Sequence, residues 1–148
     1  MEVAQTAGVR LTLYLIDTNI ASEMRKLKPH GGVLAWLKSL ELGQGFFSAV
    51  TFGEIQKGVE LTRPQNPLKA AEIEAWALEL EQTSQVLPMT AACFRRSALL
   101  MHGRTNSLGE DAMIAATASV HGLTVATRNT GDFALFSVPV FNPFTYRP

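Results

Sequence analysis

The sequence predicts one α/β domain, a sandwich of helices around a mostly parallel, five-stranded sheet. Three observations predict it. Leu13 to Ile16 is an unbroken apolar run beside turn and cap residues, as a strand buried on both faces requires. Short apolar runs then alternate with longer stretches of helical spacing along the chain. The chain has 148 residues, 47% of them hydrophobic and 18% charged, which suits one globular domain with a real core and not a disordered chain.

The first strand ends in Asp17, an acid where a buried strand meets its loop. Ligands of open α/β sheets sit at that carboxyl edge. Thr18 and Asn19 can cap a short helix over Ile20 to Lys28, which closes on Arg25-Lys26-Leu27-Lys28 before Pro29. Gly31-Gly32 makes a turn. Val33, Leu34, Trp36, Leu37 and Leu40 recur at helical spacing up to about Leu42. Phe46-Phe47-Ser48 is the second strand, and Thr51-Phe52-Gly53-Glu54 opens the next helix. Asn66 caps, and Pro67 begins, a helix to about Glu81. Val86-Leu87-Pro88 is the third strand, and Thr90 caps a helix through Met101. Ser107-Leu108-Gly109-Glu110 has the capping-box pattern at the head of a helix to Val120. Four alanines, at 112, 115, 116 and 118, make that helix thin enough to pack tightly on a sheet. Leu123 to Ala126 is the fourth strand, followed by a loop from Thr127 to Asp132. Val138 to Phe141 is the fifth, at an edge because Pro139 lacks an N–H.

Composition narrows the function classes. Lys plus Arg and Asp plus Glu both count 13, so the formal net charge is zero, unlike a strongly basic nucleic-acid binder. A local basic patch or bound cations can still attract a polyanion. Near-zero net charge also suits a protein that associates. No apolar run is of transmembrane length, and Met1 to Arg10 has no long apolar core of a secretory signal; it reads as a polar extension. The single cysteine, Cys93, fits a reducing cytoplasm and reads as a small core residue. His30, His102 and His121 read as surface residues. Trp36, Phe46, Phe47 and Phe133 read as core.

Four acids occupy comparable places. Asp17 follows the first strand, Glu54 lies in the first turn of the helix after the second, Asp111 in the first turn of the helix before the fourth, and Asp132 in the loop after the fourth. Strand ends and following helix starts share one edge of a parallel sheet, so Asp17, Glu54 and Asp132 can converge. Asp111 joins them only if its helix starts at the same edge. Each acid also has an ordinary explanation. Asp17 can be a helix cap, Glu54 the end of a Thr-x-x-Glu capping box, Asp111 a partner of a helix dipole and Asp132 a turn residue. Glu110 fits its own capping box and is taken as the cap, which leaves Asp111 as the ligand. Converged carboxylates about 4 Å apart repel by on the order of 4 kcal/mol at an effective dielectric near 20, so protons or a cation must neutralise them. With no Cys or His at ligand spacing, oxygen ligation points to Mg²⁺ or Mn²⁺ and not to Zn²⁺. Such ions bridge a phosphate and activate a water for in-line attack. Ser48 and Thr127 end strands on the same edge; Ser48 is taken to bond its local backbone.

The motifs together resemble a known family. Leu15-Ile-Asp17-Thr18-Asn19-Ile with Ser22-Glu23, then Ser48-Ala-Val-Thr-Phe-Gly-Glu54-Ile, then Asp111-Ala-Met-Ile-Ala-Ala-Thr117, then Thr127-Arg-Asn129-Thr-Gly-Asp132-Phe and Asn142-Pro-Phe144, resemble PIN-domain proteins of the VapC/FitB group. The resemblance covers the chain after Arg10, so residues 11–148 are expected to be a single PIN domain. It implies a three-layer sandwich and a Mg²⁺- or Mn²⁺-dependent endoribonuclease, the toxin of a toxin–antitoxin pair. It implies Asp17, Glu54, Asp111 and Asp132 as the acidic set, with Thr18, Thr127 and Asn129 as polar support. It also implies an RNA substrate, a homodimer, a VapB-like antitoxin and a cytoplasmic location. One alternative is a catalytically inactive PIN-like module that pairs with antitoxin or nucleic acid. Another is a phosphatase of the haloacid-dehalogenase kind, disfavoured because Asn19 stands where its second Asp is needed.

Overall fold

The structure, a computed structural model, describes residues 5–6 and 9–148, with side chains from residue 11 onward. Gln5–Thr6 and Val9–Arg10 pair as an antiparallel ribbon. The rest of the expected polar extension lies outside the described residues.

Five short strands form the sheet: β1 (Tyr14–Ile16), β2 (Gly45–Ser48), β3 (Val86–Leu87), β4 (Thr124–Ala126) and β5 (Val140–Phe141). Their order is β3-β2-β1-β4-β5, and every neighbouring pair is parallel. The chain winds outward from β1 through β2 to β3, then crosses back to build β4 and β5 on the other side. The switch point therefore lies between β1 and β4, where open α/β sheets leave a crevice beyond their carboxyl ends. Ile16 pairs with Phe47 on one side and Ala126 on the other, so Asp17, Ser48 and Thr127 emerge on one rim.

The sheet is buried on both faces, which explains its continuous apolar runs. Leu13, Leu15, Phe46 and Val125 face helix α6 (Gly109–His121) and its Ala112, Ile114, Ala115 and Ala118. Ile16, Phe47 and Ala126 face Ile20 and Ala21 of α1 (Thr18–Met24), and Val33 and Trp36 of α2 (Gly31–Ser39). Leu15 and Ile16 alternate between the layers because successive strand side chains point to opposite faces. The alanines let α6 lie close on the sheet, and Gly122, at φ 69°, closes that helix in the left-handed conformation. Helices α3 (Ala49–Thr62) and α4 (Pro67–Thr83) form a hairpin around Ile55, Val59, Ala70 and Ala77. Helix α5 (Ala91–Met101) packs against α6, and Asp132 lies in the first turn of the short α7 (Thr130–Ala134).

Several expected caps hold. Asn66 Oδ1 accepts from Lys69 N at 3.2 Å with Pro67 beginning α4, and Thr90 Oγ1 accepts from Cys93 N at 3.2 Å. Cys93 is buried, as are Trp36, Phe46, Phe47 and Phe133. Others are corrected. Helix α1 starts at Thr18 and stops at Met24, so Arg25 to Lys28 lie beyond it, and Asp17 rather than Thr18 or Asn19 is its cap. Helix α3 starts at Ala49, capped by Ser48, whose Oγ accepts from Val50 N at 3.0 Å. Thr51 is therefore no cap, and Glu54 falls in the second turn. The Ser107 capping box does not form. Asn106–Leu108 is a 3₁₀ turn, Ser107 Oγ contacts Thr105 Oγ1 at 2.9 Å, and α6 begins after Leu108 with no side-chain cap. Asp132 opens a helix instead of standing in an open loop.

Candidate active site

The carboxyl rim of the sheet carries the acids, and a hydrogen-bond network orients them. Asp17 is 4% exposed. Its Oδ1 accepts from Thr18 N at 2.8 Å and its Oδ2 from Thr127 Oγ1 at 2.8 Å. Asp17 is thus both the cap of α1 and an anchored rim acid; the two readings describe one residue. Thr127 is fully buried and also accepts from Asn129 N at 2.9 Å and, at a longer 3.4 Å, from Asn19 Nδ2. Asn19 Oδ1 accepts from Arg128 N at 3.2 Å. This bolts the loop after β4 onto the first turn of α1, across the switch point.

Glu54 joins from the other side. Thr18 Oγ1 donates to Glu54 Oε1 at 2.8 Å and contacts Thr51 Oγ1 at 3.1 Å. Asp111 reaches the same rim because α6 starts there, the condition that sequence reasoning left open. Burial raises its carboxyl to about 6, and the charges of Asp17, Asp132 and Glu110 push the same way. Burial raises Glu54 to about 7 against the opposing bond from Thr18, with Glu110, Asp17 and Asp111 adding repulsion. Burial raises Asp17 too, opposed by its bonds to Thr127 and Thr18. Asp111 therefore feels Asp17, Asp132 and Glu110, Glu54 feels Asp17, Asp111 and Glu110, and Glu110 acts as a fifth charge on this rim instead of a helix cap. Its only ion pair among the described residues is a long one, 3.8 Å to Lys57 Nζ.

Sequence reasoning missed Asn19 and Thr51 as members of the network and misread Glu110. For Asn19 the signal was its place two residues after the strand-end acid, in the same first helical turn. Thr51 and Glu110 carried none, because both read as cap residues. Of the three polar residues expected to support the acids, Thr18 and Thr127 bond them directly. Asn129 contributes its backbone N–H.

The donor set suits a hard divalent cation. It is all carboxylate and hydroxyl oxygen, and among the described residues no Lys, Arg or His pairs with Asp17, Glu54, Asp111 or Asp132. Also among the described residues, no three acids stand grouped at ligating separation.

The raised carboxyls set the sign of a pH effect. Between about pH 4 and 7 the folded chain holds more protons at Glu54 and Asp111 than the unfolded chain does. Stability then falls as pH rises through that window, the reverse of a salt-bridged acid. In metal-free buffer the melting temperature should drop by several degrees from pH 5 to pH 7.5. Saturating Mg²⁺ should remove most of that drop. A melting temperature flat across the window, checked by circular dichroism, would contradict the coupling.

The domain is thus a wholly parallel five-stranded α/β sandwich with a carboxylate rim at its switch point. The chain belongs to the PIN-domain family, whose profile matches residues 14–137. It is 38% identical over 143 residues to Toxin FitB of Neisseria gonorrhoeae, covering 89% of this chain and 99% of that one. It is 33% identical over 143 residues to VapC ribonuclease Y4jK of Sinorhizobium fredii, covering 89% and 98%. The crystal structure of FitAcB from Neisseria gonorrhoeae superposes with a TM-score of 0.73 at 36% identity, covering 90% of this chain and 99% of that one. The expected sandwich is borne out, with a sheet that is wholly and not just mostly parallel. No helix among the described residues is long and apolar enough to cross a membrane.

Proposed function

We propose that the chain is a Mg²⁺- or Mn²⁺-dependent endoribonuclease, the toxin of a VapBC-like toxin–antitoxin pair, that hydrolyses RNA phosphodiester bonds. The observation that carries this reading is the uncompensated rim of acids, raised to about 7 at Glu54 and about 6 at Asp111, set across the sheet's switch point. Relatives named a toxin and a ribonuclease support it. Asp17, Glu54, Asp111 and Asp132 would hold the ion. When bound, the ion supplies a Lewis acid for the phosphoryl oxygen and a lowered pKa for water. The chain's own residues prepare that site. Thr127 and the Thr18 amide fix both oxygens of Asp17, and Thr18 Oγ1 fixes one oxygen of Glu54. Asn19 and Asn129 hold Thr127 in place. The partners in this reading are an RNA substrate, a second copy of the chain and a cognate antitoxin, acting in the cytoplasm.

The test is direct. Purified chain, free of antitoxin, should cut an RNA pool in Mg²⁺ or Mn²⁺, stop in EDTA and recover when the metal is restored. Equal cleavage in EDTA would remove the metal from the reading. Metal binding by calorimetry with no cleavage of any RNA would favour the inactive module instead.

A further inference from the structure

Arg128 sits between Thr127 and Asn129 on the loop leaving β4. Its backbone is pinned at its own amide by Asn19 Oδ1 and, one residue on, by Thr127 Oγ1, the hydroxyl that donates to Asp17. Its side chain is exposed, yet the guanidinium lies 4.4 Å from the centre of the Phe144 ring. Phe144 is held in turn: its N–H donates to Asn142 Oδ1 at 3.0 Å, and its ring lies 4.7 Å from His30.

A second arginine makes the comparison. Arg104 also stacks on a phenylalanine, Phe136, but donates to the carbonyls of Leu100 and Leu135. Its N–H groups are used by the fold. Arg128 has the ring and, among the described residues, no carboxylate or carbonyl accepting from its side chain. Stacking orders a long side chain in advance, so less freedom is lost when it binds. An ordered guanidinium with its fork of donors unspent suits a bidentate oxyanion, above all a phosphate.

The geometry points to Arg128 as the grip for a backbone phosphate of single-stranded RNA, next to the phosphate that reacts at the carboxylate rim. This rests on the ribonuclease reading above. The Asn19 and Thr127 bonds would keep the grip in register with Asp17, so the strand is held at the reacting phosphate and at its neighbour.

The test measures binding as well as turnover. In a D17N background, which leaves the RNA whole, a labelled single-stranded RNA of mixed sequence is titrated at several salt concentrations. R128Q, which keeps a planar polar end but is shorter and uncharged, should weaken binding about tenfold and reduce the slope of log K against log salt by about 0.7. R128K should keep the slope but recover only part of the affinity. F144L should also keep the slope and bind a few-fold more weakly. With Asp17 restored, R128Q should raise KM and leave kcat near wild type. Unchanged affinity, slope and KM in a folded R128Q would overturn the grip and leave the ribonuclease reading standing. A lowered melting temperature with an unchanged slope would overturn it too, as a purely structural stack. If wild type neither binds nor cuts RNA, the ribonuclease reading falls and the grip falls with it.

Discussion

Replacing Asp17 by asparagine should abolish RNA cleavage while leaving the fold as stable as wild type or more so. Asp17 is buried, and burial raises its carboxyl, so the fold disfavours its charged form. The side-chain amide of the variant removes that charge and keeps an oxygen for the Thr18 N–H. The metal-free variant should therefore melt at or above the wild-type temperature at pH 7. Activity should drop by at least ~10²-fold, since even indirect support of metal sites is worth 10- to 100-fold. A further signature separates site loss from general damage. Mg²⁺ at about 100 times its dissociation constant should stabilise wild type by about 2.7 kcal/mol and D17N by much less. A folded D17N with full activity would end the proposed role.

Thr127→Val should be the most damaging change that leaves every acid in place. The substitution nearly conserves shape but deletes a buried hydroxyl with three partners: Asp17 Oδ2 at 2.8 Å, Asn129 N at 2.9 Å and Asn19 Nδ2 at 3.4 Å. The first two are the strong bonds by length. Leaving a buried carboxylate oxygen and an amide unpaired should cost about 1–3 kcal/mol for each group. Cleavage should fall about 10- to 100-fold, because Asp17 loses one of its two orienting donors. Thr127→Ser restores the hydroxyl and should recover most of both losses. Wild-type melting and activity in T127V would show that the bond to Asp17 carries no weight.

The two variants probe one crevice from opposite sides, and residues differed in how far they could be read in advance. Asp17 was legible because an apolar run announces a buried strand and an acid ending it stands out. Thr127 was legible for the same reason at β4. Glu54 was found for partly the wrong reason: Thr51-x-x-Glu54 reads as a helix start, but Ser48 already caps α3 and turns Thr51 inward against Thr18. Asn19 looked like a cap, and its bridge to the Thr127–Arg128 loop spans a sequence separation that no local pattern reports. The Ser107 box matched a pattern that is necessary and not sufficient, and the chain forms a 3₁₀ turn there instead.

What the sequence determined by itself was the layering: strands buried on both faces, helices between them, and acids at the strand ends. Those features follow from hydrophobic period and run length, which are local and survive without knowledge of neighbours. Only the tertiary structure decided which acids meet. Helix α6 starts at Gly109 beside Leu108, which packs on the core, and both Glu110 and Asp111 come within reach of the other rim charges. The crossing of the chain at β1 and β4 then brings Asp17 onto Thr127. Both outcomes are set by contacts between residues far apart in the chain, whose energies no short window of sequence contains.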